Sequence, residues 1–568
     1  MTGEPLAAAT GWPPIRHLGQ SELPREPVRL PPGTSLAVPS PVVATAATNG
    51  SICGKPLGLT TALSSALVGL EAHPIRVEVC CTRGPAFFQM VGLAEAAVRE
   101  ARVRVASALA RIGVLLDEYA ITINLAPAEL RKSGAALDVA IAVGVLEAIG
   151  DLPTGASGGI LLLGELSLDG GLQPIRGVLP QLDGARCRGT RAAIVPAGNA
   201  AEAGLVQRMD VRVAHSLEEL RHHLAGEQHL PPAPSTEFAP DKMAGGRLDF
   251  RDVRGQAAVR RSLEIAAAGN HNVLMIGPPG GGKTMLARLL PTICPPLTFD
   301  EAIETTAIFS VAGLVDPEKG IVSGRPFRAP HHSVSEAGLI GGGRMPMPGE
   351  VSLAHNGVLF LDELAEFRRS ALEALRQPLE DGLVCIARVG GRAWYPARPL
   401  FVAAVNPCPC GYYGHPRRPC RCSERARHGY QSRLSGPLVD RLDVHVSVPP
   451  VEVAALTSTA PGESSASVRE RVVRARKLQE ARRARREVEC LTNACLSARE
   501  LDSIAAPDRE GKRLLEAAIS QLGLSARAYV KVLRVARTIA DLDGCDRVRS
   551  PHIAEAVQGR LLDRESMS

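Results

Sequence analysis

The residues with the clearest chemistry form one octapeptide, residues 277–284, which reads Gly-Pro-Pro-Gly-Gly-Gly-Lys-Thr. It matches the pattern G-x-x-x-x-G-K-[ST] of a phosphate-binding loop, in which backbone N–H groups surround phosphate oxygens. The lysine would reach the β- and γ-phosphates of a nucleotide, and the threonine hydroxyl would hold Mg²⁺. The predicted nucleotide-binding residues are Gly277, Pro278, Pro279, Gly280, Gly281, Gly282, Lys283 and Thr284.

The elements around this loop are those that such a loop needs. Residues 272–276 form a short apolar run typical of a buried strand, and residues 285–290 continue as a helix. The alternative is a chance match in a glycine-rich chain, which the correct order of strand, loop and helix disfavours. A helix that begins here would also place its positive N-terminal partial charge next to the phosphates.

Two carboxylates end a second apolar run, residues 357–361. Asp362 at the strand tip would bind Mg²⁺ directly or through water, and Glu363 would activate the attacking water as a general base. A protein that only senses nucleotide does not need the second carboxylate, so the pair predicts ATP hydrolysis. The alternative is a strand that ends in a solvated acidic turn. A third apolar run, residues 400–405, ends in Asn406.

Four of the thirteen cysteines form two C-x-C pairs. The pairs are Cys408 with Cys410, and Cys420 with Cys422. Four thiolates can close a tetrahedral Zn²⁺ site, although C-x-C pairs are tighter than the common C-x₂-C spacing. Two alternatives remain: reduced cysteines without a metal, or a site in which His415 or His428 replaces one thiolate. A metal would explain how the intervening segment, which is poor in apolar residues, becomes ordered.

The composition bounds the class of protein. The 568 residues are 45% hydrophobic and carry a formal net charge of +6, which permits nucleic-acid binding without requiring it. Aromatic residues make up only 3%, so base-stacking platforms are not expected to dominate. No segment approaches the ~18–20 apolar residues of a membrane span, and no secretory signal is evident. We therefore expect a cytoplasmic protein with reduced cysteines.

Hydrophobic periodicity and breaker residues predict a multidomain α/β chain. We expect a disordered extension over 1–50, an α/β domain over 51–225, a linker over 226–245, an ATPase core over 246–450 with a cysteine-rich insert over 408–422, and a helical domain over 468–562. Residues 159–168 are predicted as one strand. A basic helix over 469–486 has Val468, Val472, Ala475 and Leu478 available for packing.

Taken together, the chain resembles the YifB/ComM family of magnesium-chelatase-like AAA+ ATPases over about residues 51–562. The motifs that carry the resemblance lie in order at residues 88–93, 123–127, 325–332, 349–357, 406–411, 435–443 and 525–527. The resemblance implies a P-loop AAA+ core of the helix-2-insert and pre-sensor-hairpin clade, followed by a helical lid. It also implies that Asn406 is the polar sensor that orients the lytic water.

The first domain resembles the Lon-protease domain, which in a working peptidase uses a Ser/Lys dyad. Here Ala136 stands where the nucleophilic serine belongs, and Leu179 stands where the lysine belongs. Acyl transfer by that route needs a nucleophile and a partner that activates it. Ser133 and Lys132 lie nearby, but adjacent residues normally point apart. The resemblance therefore implies an inactive domain that serves as a scaffold or a DNA-engaging ring.

Three arginines have roles that the resemblance suggests. Arg441 holds the position of the arginine finger, which stabilises the transition state in a neighbouring subunit and so requires an oligomer. A local salt bridge with Asp440 or Asp443 is the alternative. Arg527 is the candidate second sensor, although Arg534 lies two turns further on nearly the same helix face and could take that role.

Residues 384–395 are predicted to form a β-hairpin that turns at Gly390-Gly391. In the resembling clade, this pre-sensor hairpin projects into a central pore. Arg388 and Arg392 flank its tip and would contact a DNA backbone without sequence preference. The alternative is a surface hairpin with solvated arginines.

The resemblance implies an ATP-dependent hexameric DNA motor that promotes branch migration in homologous recombination and natural transformation. Its expected cofactors are ATP and Mg²⁺, and its expected partners are branched or single-stranded DNA and copies of itself. Zn²⁺ is a further ion that the cysteine pairs, and not the resemblance, suggest. One alternative is a magnesium-chelatase motor subunit, which normally lacks the fused first domain and the cysteine insert. A second alternative is a protein-remodelling ATPase, which the missing dyad disfavours.

Overall fold

The computed structural model describes residues 56–92, 96–130, 132, 136–241, 248–343, 345–388, 391–433, 436–450, 462–522 and 524–560. The predicted extension over residues 1–50 lies outside these residues, as do residues 242–245 of the predicted linker, the first two residues of the predicted ATPase core and Ser133. The predicted domain limits therefore stay predictions. Within the part of the chain that is described, no helix is both long and apolar enough to cross a membrane.

The first unit is built on a seven-stranded mixed sheet. Its strands, in spatial order, are Phe87–Val91, Tyr119–Ala126, Glu71–Arg83, Pro56–Val68, Ile160–Leu162, Ala192–Pro196 and Asp210–Ala214. Its helices are Ala96–Arg111, Asp138–Ile149, Val178–Cys187, Ala200–Ala203 and Leu217–Leu224, with a 3₁₀ turn over Ala197–Asn199. The apolar helix Asp138–Ile149 is buried along nearly its whole length, because it packs against the two long antiparallel strands.

One strand prediction in this unit is wrong. Residues 159–168 form two short strands, Ile160–Leu162 in the large sheet and Glu165–Leu166 in a separate ribbon with Leu172–Gln173. Gly164 separates them with φ of +155°, and an added Cβ there would lie 2.8 Å from Val139. A continuous apolar run carries no signal for such a break, since the close approach of Val139 is a tertiary contact.

The second unit contains a five-stranded parallel sheet. The strands lie in the order Phe327–Arg328, Val358–Leu361, Leu400–Val405, Val273–Ile276 and Val444–Ser447. The strand before the P-loop therefore pairs with the strand that ends at Asn406, and not with the strand that ends at Asp362. Because parallel strands end at the same sheet edge, this order brings the three predicted polar ends together.

Helices and ribbons surround this sheet. The helices are Ala257–Gly269, Lys283–Ile293, Phe299–Ala312, Glu336–Ile340, Glu350–Leu353, Arg369–Ala374, Arg376–Asp381, Glu424–Gln431 and Gly436–Val439, with 3₁₀ turns at Phe250–Asp252 and Leu364–Glu366. Two antiparallel ribbons, Gly341–Gly342 with Met347–Pro348 and Leu383–Arg388 with Gly391–Pro396, stand apart from the sheet.

The regular elements of the C-terminal part, among the residues described there, are helices. Its helices are Ser465–Ala484, Ala498–Ile504, Arg509–Leu522, Ala526–Leu542 and Ser550–Gln558, with a 3₁₀ turn at Asn493–Cys495. Three of the four predicted packing residues of the basic helix are buried, namely Val468, Val472 and Ala475. The fourth prediction is wrong: Leu478 is 41% exposed, because it faces away from the shared core.

The first unit contacts the second through a buried carboxylate. Glu202 accepts a hydrogen bond from the Leu179 backbone N–H at 2.9 Å and another from the Ser310 hydroxyl. The Gly177 N–H also donates to the Ser310 carbonyl at 3.1 Å. Burial raises the pKa of Glu202, which these hydrogen bonds oppose. The helix Phe299–Ala312 is thus tied to the start of the helix Val178–Cys187.

Candidate nucleotide-binding site

The P-loop is held between two strands of the parallel sheet. The Gly277 N–H donates to the Val405 carbonyl at 3.2 Å, and an added Cβ at Gly277 would lie 2.2 Å from the Val448 carbonyl oxygen. Gly280 and Gly282 have φ of +79° and +85°, which side chains disfavour, and the helix Lys283–Ile293 begins directly after Gly282. The glycines are therefore required by the turn and by the close approach of the last strand.

Lys283 lies inside the loop that it would serve. Its Nζ donates to the carbonyls of Gly277 and Pro278 at 2.6 and 3.1 Å, and to Asn406 Oδ1 at 3.0 Å. Burial lowers the pKa of this amine, and the carboxylates of Asp362 and Glu363 oppose that shift. The amine thus has three acceptors that a nucleotide phosphate can replace.

The predicted Mg²⁺ ligands also meet. Thr284 Oγ1 donates to Asp362 Oδ2 at 2.7 Å, although the two residues are far apart in sequence. A hydroxyl and a carboxylate at this separation offer the oxygen ligands that Mg²⁺ prefers, and leave room for water and phosphate oxygens. The residues present therefore fit the ATP and Mg²⁺ that the P-loop predicts.

Glu363 occupies an unusual backbone conformation. Its φ and ψ are +52° and +48°, in the left-handed region, and its N–H donates to Asp362 Oδ1 at 3.0 Å. The side chain is half-exposed. A non-glycine residue in this region costs free energy, and such residues concentrate at functional sites.

Sequence reasoning missed a contact of Glu363. His332 Nδ1 lies 3.5 Å from Glu363 Oε2, and its ring also lies 6.4 Å from the ring of Phe367, edge to face. His332 follows the edge strand Phe327–Arg328, whereas Glu363 follows the neighbouring strand. Only the pairing of those two strands brings the residues together, so a search of local motifs had no means of finding them.

The three arginines with suggested roles, Arg441, Arg527 and Arg534, differ in their surroundings. Arg441 pairs with Glu380 on the helix Arg376–Asp381, and not with Asp440 or Asp443 as the alternative prediction had it. Arg527 is 72% exposed and lies 3.8 Å from Asp440, whereas the Arg534 guanidinium donates to the Leu496 carbonyl at 2.8 Å. Arg534 is therefore occupied within the helical part, and Arg527 remains the better candidate for a sensor.

A buried ion pair connects the segment of Arg441 with the C-terminal helices. Asp443 lies 3.0 Å from Lys531 Nζ and accepts a hydrogen bond from the Asn272 N–H at 3.2 Å. Asn272 also donates to the Arg441 carbonyl and accepts from the Phe401 N–H, at 3.4 and 3.1 Å. Asp443 and Lys531 are nearly fully buried. One cluster thus joins the P-loop strand, the Asn406 strand, the Arg441 turn and the helix Ala526–Leu542.

The four clustered cysteines converge at one point. Their sulfurs all lie within 4.8 Å of one another, and the group consists of Cys408, Cys410, Cys420 and Cys422. Neither histidine that was considered as a substitute joins them. His415 Nδ1 accepts hydrogen bonds from the N–H groups of Arg417 and Arg418, each at 3.1 Å, and the side chain of His428 is 73% exposed beside Glu424.

The predicted hairpin is present, with strands Leu383–Arg388 and Gly391–Pro396. The register pairs Arg388 with Gly391, so Gly391 belongs to the second strand and not to the predicted Gly390-Gly391 turn, whose other residue lies outside the described residues. Ile386 and Tyr395 are buried beneath the hairpin, and the Tyr395 hydroxyl donates to the Pro346 carbonyl at 2.7 Å. The hairpin is therefore anchored along one face.

Comparisons with known proteins agree with this site. Residues 249–456 match the family model described as magnesium chelatase, subunit ChlI. Residues 77–199 match the model of subunit ChlI of Mg-chelatase, and residues 462–560 match its C-terminal model. The chain is 41% identical to the uncharacterised protein YifB of Salmonella typhimurium, over 89% of this chain and 98% of that protein. It is 42% identical to the competence protein ComM of Haemophilus influenzae, over the same shares.

The chain belongs to the YifB/ComM family of magnesium-chelatase-like AAA+ ATPases. Family membership implies ATPase activity, with ATP and Mg²⁺ as cofactors, and the contacts of Lys283, Thr284 and Asp362 fit both. The roles of the individual site residues, Asn406, Arg441 and Arg527 among them, remain predictions.

A partial likeness to a Lon protease accompanies the family match. The chain is 33% identical to Lon protease 2 of Bacillus subtilis over 23% of this chain and 25% of that protein. The two positions that a Ser/Lys dyad would occupy have different surroundings. Leu179 is buried in an apolar cluster with Leu205 of the first unit and Ile303 of the second unit. The carbonyl of Ala136 accepts a hydrogen bond from the Gly164 N–H. A lysine at position 179 would lie buried among apolar side chains.

Proposed function

We propose that this member of the YifB/ComM family is a homohexameric, ATP-driven DNA motor that promotes branch migration during homologous recombination, including the integration of incoming DNA in natural transformation. The observation that carries the proposal is the likeness to a competence protein along nearly the whole chain, joined to an assembled ATP site. The exposed arginines at the tip of the hairpin are the surface that would contact the DNA backbone.

The proposal assigns a role to each site residue. Lys283 holds the β- and γ-phosphates, Thr284 and Asp362 hold Mg²⁺, and Glu363 takes the proton from the attacking water. Asn406 orients that water. Arg441 of one subunit and Arg527 stabilise the charge that develops on the transferring phosphoryl group. Residues 51–225 form the inactive Lon-like domain, 226–245 the linker, 246–450 the motor and 468–562 the lid.

A magnesium-chelatase motor subunit is the second candidate, because all three family models that match carry that description. In that function, ATP hydrolysis would drive metal insertion into a porphyrin and would not respond to DNA. The two candidates share the ATP site and differ in what stimulates it.

The deciding experiment measures ATP hydrolysis by the full chain with and without four-way-junction DNA, beside Glu363→Gln. We expect strong stimulation by the junction and a fall of about 10²–10⁴-fold in the variant, since it lacks the general base. Two further measurements use the same protein: the dissociation of a labelled four-way junction, and the mass of the protein assembly with and without ATP. Hydrolysis that is indifferent to DNA would overturn the DNA motor in favour of the chelatase or a protein-remodelling ATPase.

A further inference from the structure

The loop over residues 408–422, called here the cysteine loop, has the geometry of a single-ion site. The sulfur of Cys408 lies 3.4 Å from that of Cys410 and 3.6 Å from that of Cys420, and the sulfurs of Cys410 and Cys420 are 3.6 Å apart. Four thiolates around Zn²⁺ at about 2.3 Å form a tetrahedron with edges of about 3.8 Å. The observed separations are close to those edges, so one ion fits between the sulfurs.

Backbone N–H groups point at three of the four sulfurs. The N–H of Tyr413 lies 3.3 Å from the sulfur of Cys408, and the N–H of Cys410 lies 3.4 Å from that of Cys422. The N–H of Cys422 lies 3.4 Å from the sulfur of Cys420. Such donors stabilise negatively charged sulfur, and outer hydrogen bonds of this kind orient metal-bound thiolates.

Positive side chains surround the same loop. A Zn²⁺ ion with four thiolates carries a formal charge of about −2, which favours nearby cations. The loop and the helix that follows it supply Arg417, Arg418, Arg421, Arg425 and Arg427. Two of them are held in place: the Arg418 guanidinium lies 5.4 Å from the ring centre of Tyr412, and that of Arg427 lies 4.4 Å from the ring centre of Tyr413.

The cysteine loop rests directly on the nucleotide site. Gly411 has φ of +81°, and an added Cβ there would lie 2.4 Å from Cδ of Pro279 in the P-loop. Cys408 follows Asn406 by two residues, and Asn406 accepts the hydrogen bond from Lys283. The cysteine loop therefore meets the phosphate-binding loop at two points.

We propose that Cys408, Cys410, Cys420 and Cys422 bind one Zn²⁺ ion, and that this ion holds Gly411 and Asn406 against the P-loop so that nucleotide binding depends on it. The donor set of four sulfurs, with the histidines turned to other partners, selects a soft ion such as Zn²⁺ over Mg²⁺ or Ca²⁺. The inference concerns metal and nucleotide binding, so it stands independently of any action on DNA.

The first test measures the metal in the purified full chain by plasma mass spectrometry. We expect one zinc per chain in the wild type, and loss of that zinc in the double variant Cys420→Ser/Cys422→Ser. The matched control is Cys490→Ser/Cys495→Ser, another neighbouring cysteine pair, in the segment between the helices Ser465–Ala484 and Ala498–Ile504, which should keep the full zinc content. Replacement of zinc by cobalt should give the strong visible absorption of a tetrahedral cobalt–thiolate site.

Several results would overturn the metal site. The metal site would be overturned if the wild-type protein held no stoichiometric metal. It would also be overturned if the thiols of the four clustered cysteines reacted with a thiol reagent as fast as the exposed thiol of Cys187. Iron at one per chain would overturn the assignment of zinc, and a disulfide in freshly reduced protein would overturn the thiolate set. These measurements use the wild type, so they decide the question even where the double variant does not fold.

The second test measures the affinity of a fluorescent ATP analogue, without hydrolysis or DNA. We expect Cys420→Ser/Cys422→Ser to weaken binding about tenfold, which corresponds to about 1.4 kcal/mol. Gly411→Ala should retain zinc and weaken binding in the same direction, because its methyl group would displace Pro279. If Cys420→Ser/Cys422→Ser and Gly411→Ala both bind the ATP analogue as tightly as the wild type and the control Cys490→Ser/Cys495→Ser, the coupling between zinc and nucleotide binding is overturned.

Discussion

At the residue scale, Arg441, the proposed arginine finger, makes an ion pair within its own chain. Within one chain it pairs with Glu380, and hydrogen bonding to Arg441 lowers the pKa of that half-exposed carboxyl. The carboxylate of Glu380 is 63% exposed, so solvent screens the ion pair and its contribution to stability is small. A phosphate oxygen on a neighbouring subunit would be a stronger partner for the guanidinium than the carboxylate of Glu380.

We predict that Arg441→Ala lowers ATP hydrolysis by about 10²–10³-fold, the usual loss when one donor to a transition-state oxygen is removed. Mixing Arg441→Ala subunits with equally inactive Lys283→Ala subunits should restore part of the activity. In the mixture, an intact P-loop of one variant meets the intact arginine of the other. The measurement is steady-state hydrolysis as a function of the mixing ratio.

Glu380→Ala serves as the control, since it removes the partner of Arg441 within the chain and keeps the guanidinium. Hydrolysis by this variant should stay within a few fold of the wild type. Mixed subunits that remain inactive at every ratio would contradict an arginine that acts between subunits.

At the scale of elements, the hairpin places its two arginines on opposite faces. Cross-strand partners share a face, so Arg392 lies with Ala387, Cys385 and Trp394, whereas Arg388 lies on the face of buried Ile386. Arg392 and Arg388 are both exposed, and the indole of Trp394 is 39% exposed beside Arg392. The solvent face thus combines a cation with a flat aromatic side chain, as a single-stranded nucleic acid prefers.

We predict that Arg392→Ala and Trp394→Ala each reduce the stimulation of ATP hydrolysis by single-stranded DNA, with little change in hydrolysis without DNA. Loss of one stacking side chain typically costs about 1–3 kcal/mol of binding free energy. Arg388→Ala removes the second arginine of the hairpin, on the other face, and should have the smaller effect. The measurement is the DNA concentration that gives half-maximal stimulation at several salt concentrations.

A larger effect of Arg388→Ala than of Arg392→Ala would contradict this assignment of the hairpin faces. Equal losses of hydrolysis without DNA would instead indicate that the hairpin supports the ATP site. That site lies beside the hairpin in sequence, because the strand Leu400–Val405 follows it directly.

At the scale of the whole molecule, buried histidines tie the C-terminal helices to the parallel sheet. His445 lies on the edge strand Val444–Ser447 and is 1% exposed, and burial together with the charges of Arg560 and Lys531 lowers its pKa to about 3. His271 is also buried with a lowered pKa, although Asp443 opposes the shift, and its Nε2 lies 2.7 Å from the Thr538 hydroxyl. Burial therefore favours the neutral form of both rings.

We predict that the protein loses stability as the pH falls below about 6.5, the ordinary histidine pKa. A lowered pKa in the folded state means that the unfolded chain binds the proton first. Each such histidine then lowers the free energy of unfolding by up to about 1.4 kcal/mol per pH unit until its folded pKa is reached. The midpoint of thermal unfolding should fall between pH 7.5 and 5.5, and less steeply in His445→Leu.

His222→Leu is the control, because that ring is 39% exposed on the helix Leu217–Leu224. It should leave the pH dependence of the wild type unchanged. If His445→Leu and the wild type show the same pH dependence, the buried neutral ring is not a source of the acid sensitivity.

The sequence by itself determined the family, and it predicted the chemistry of the ATP site and several of the elements around that site. These features depend on local patterns: the glycines of the P-loop, the acidic end of the strand Val358–Leu361 and the spacing of the cysteines are all visible within short segments. Such patterns fix the backbone conformation and the type of side chain at a position. They do not fix what lies across from it in space.

Only the tertiary structure decided which partners the site residues have. Strand order placed His332 beside Glu363, packing of the helix Ala526–Leu542 placed Lys531 beside Asp443, and the register of the hairpin separated Arg388 from Arg392. The close approach of Val139 to Gly164 divided a predicted strand in two. Each of these contacts joins residues that are distant in the chain or that depend on register, and a single sequence carries no local signal for such contacts.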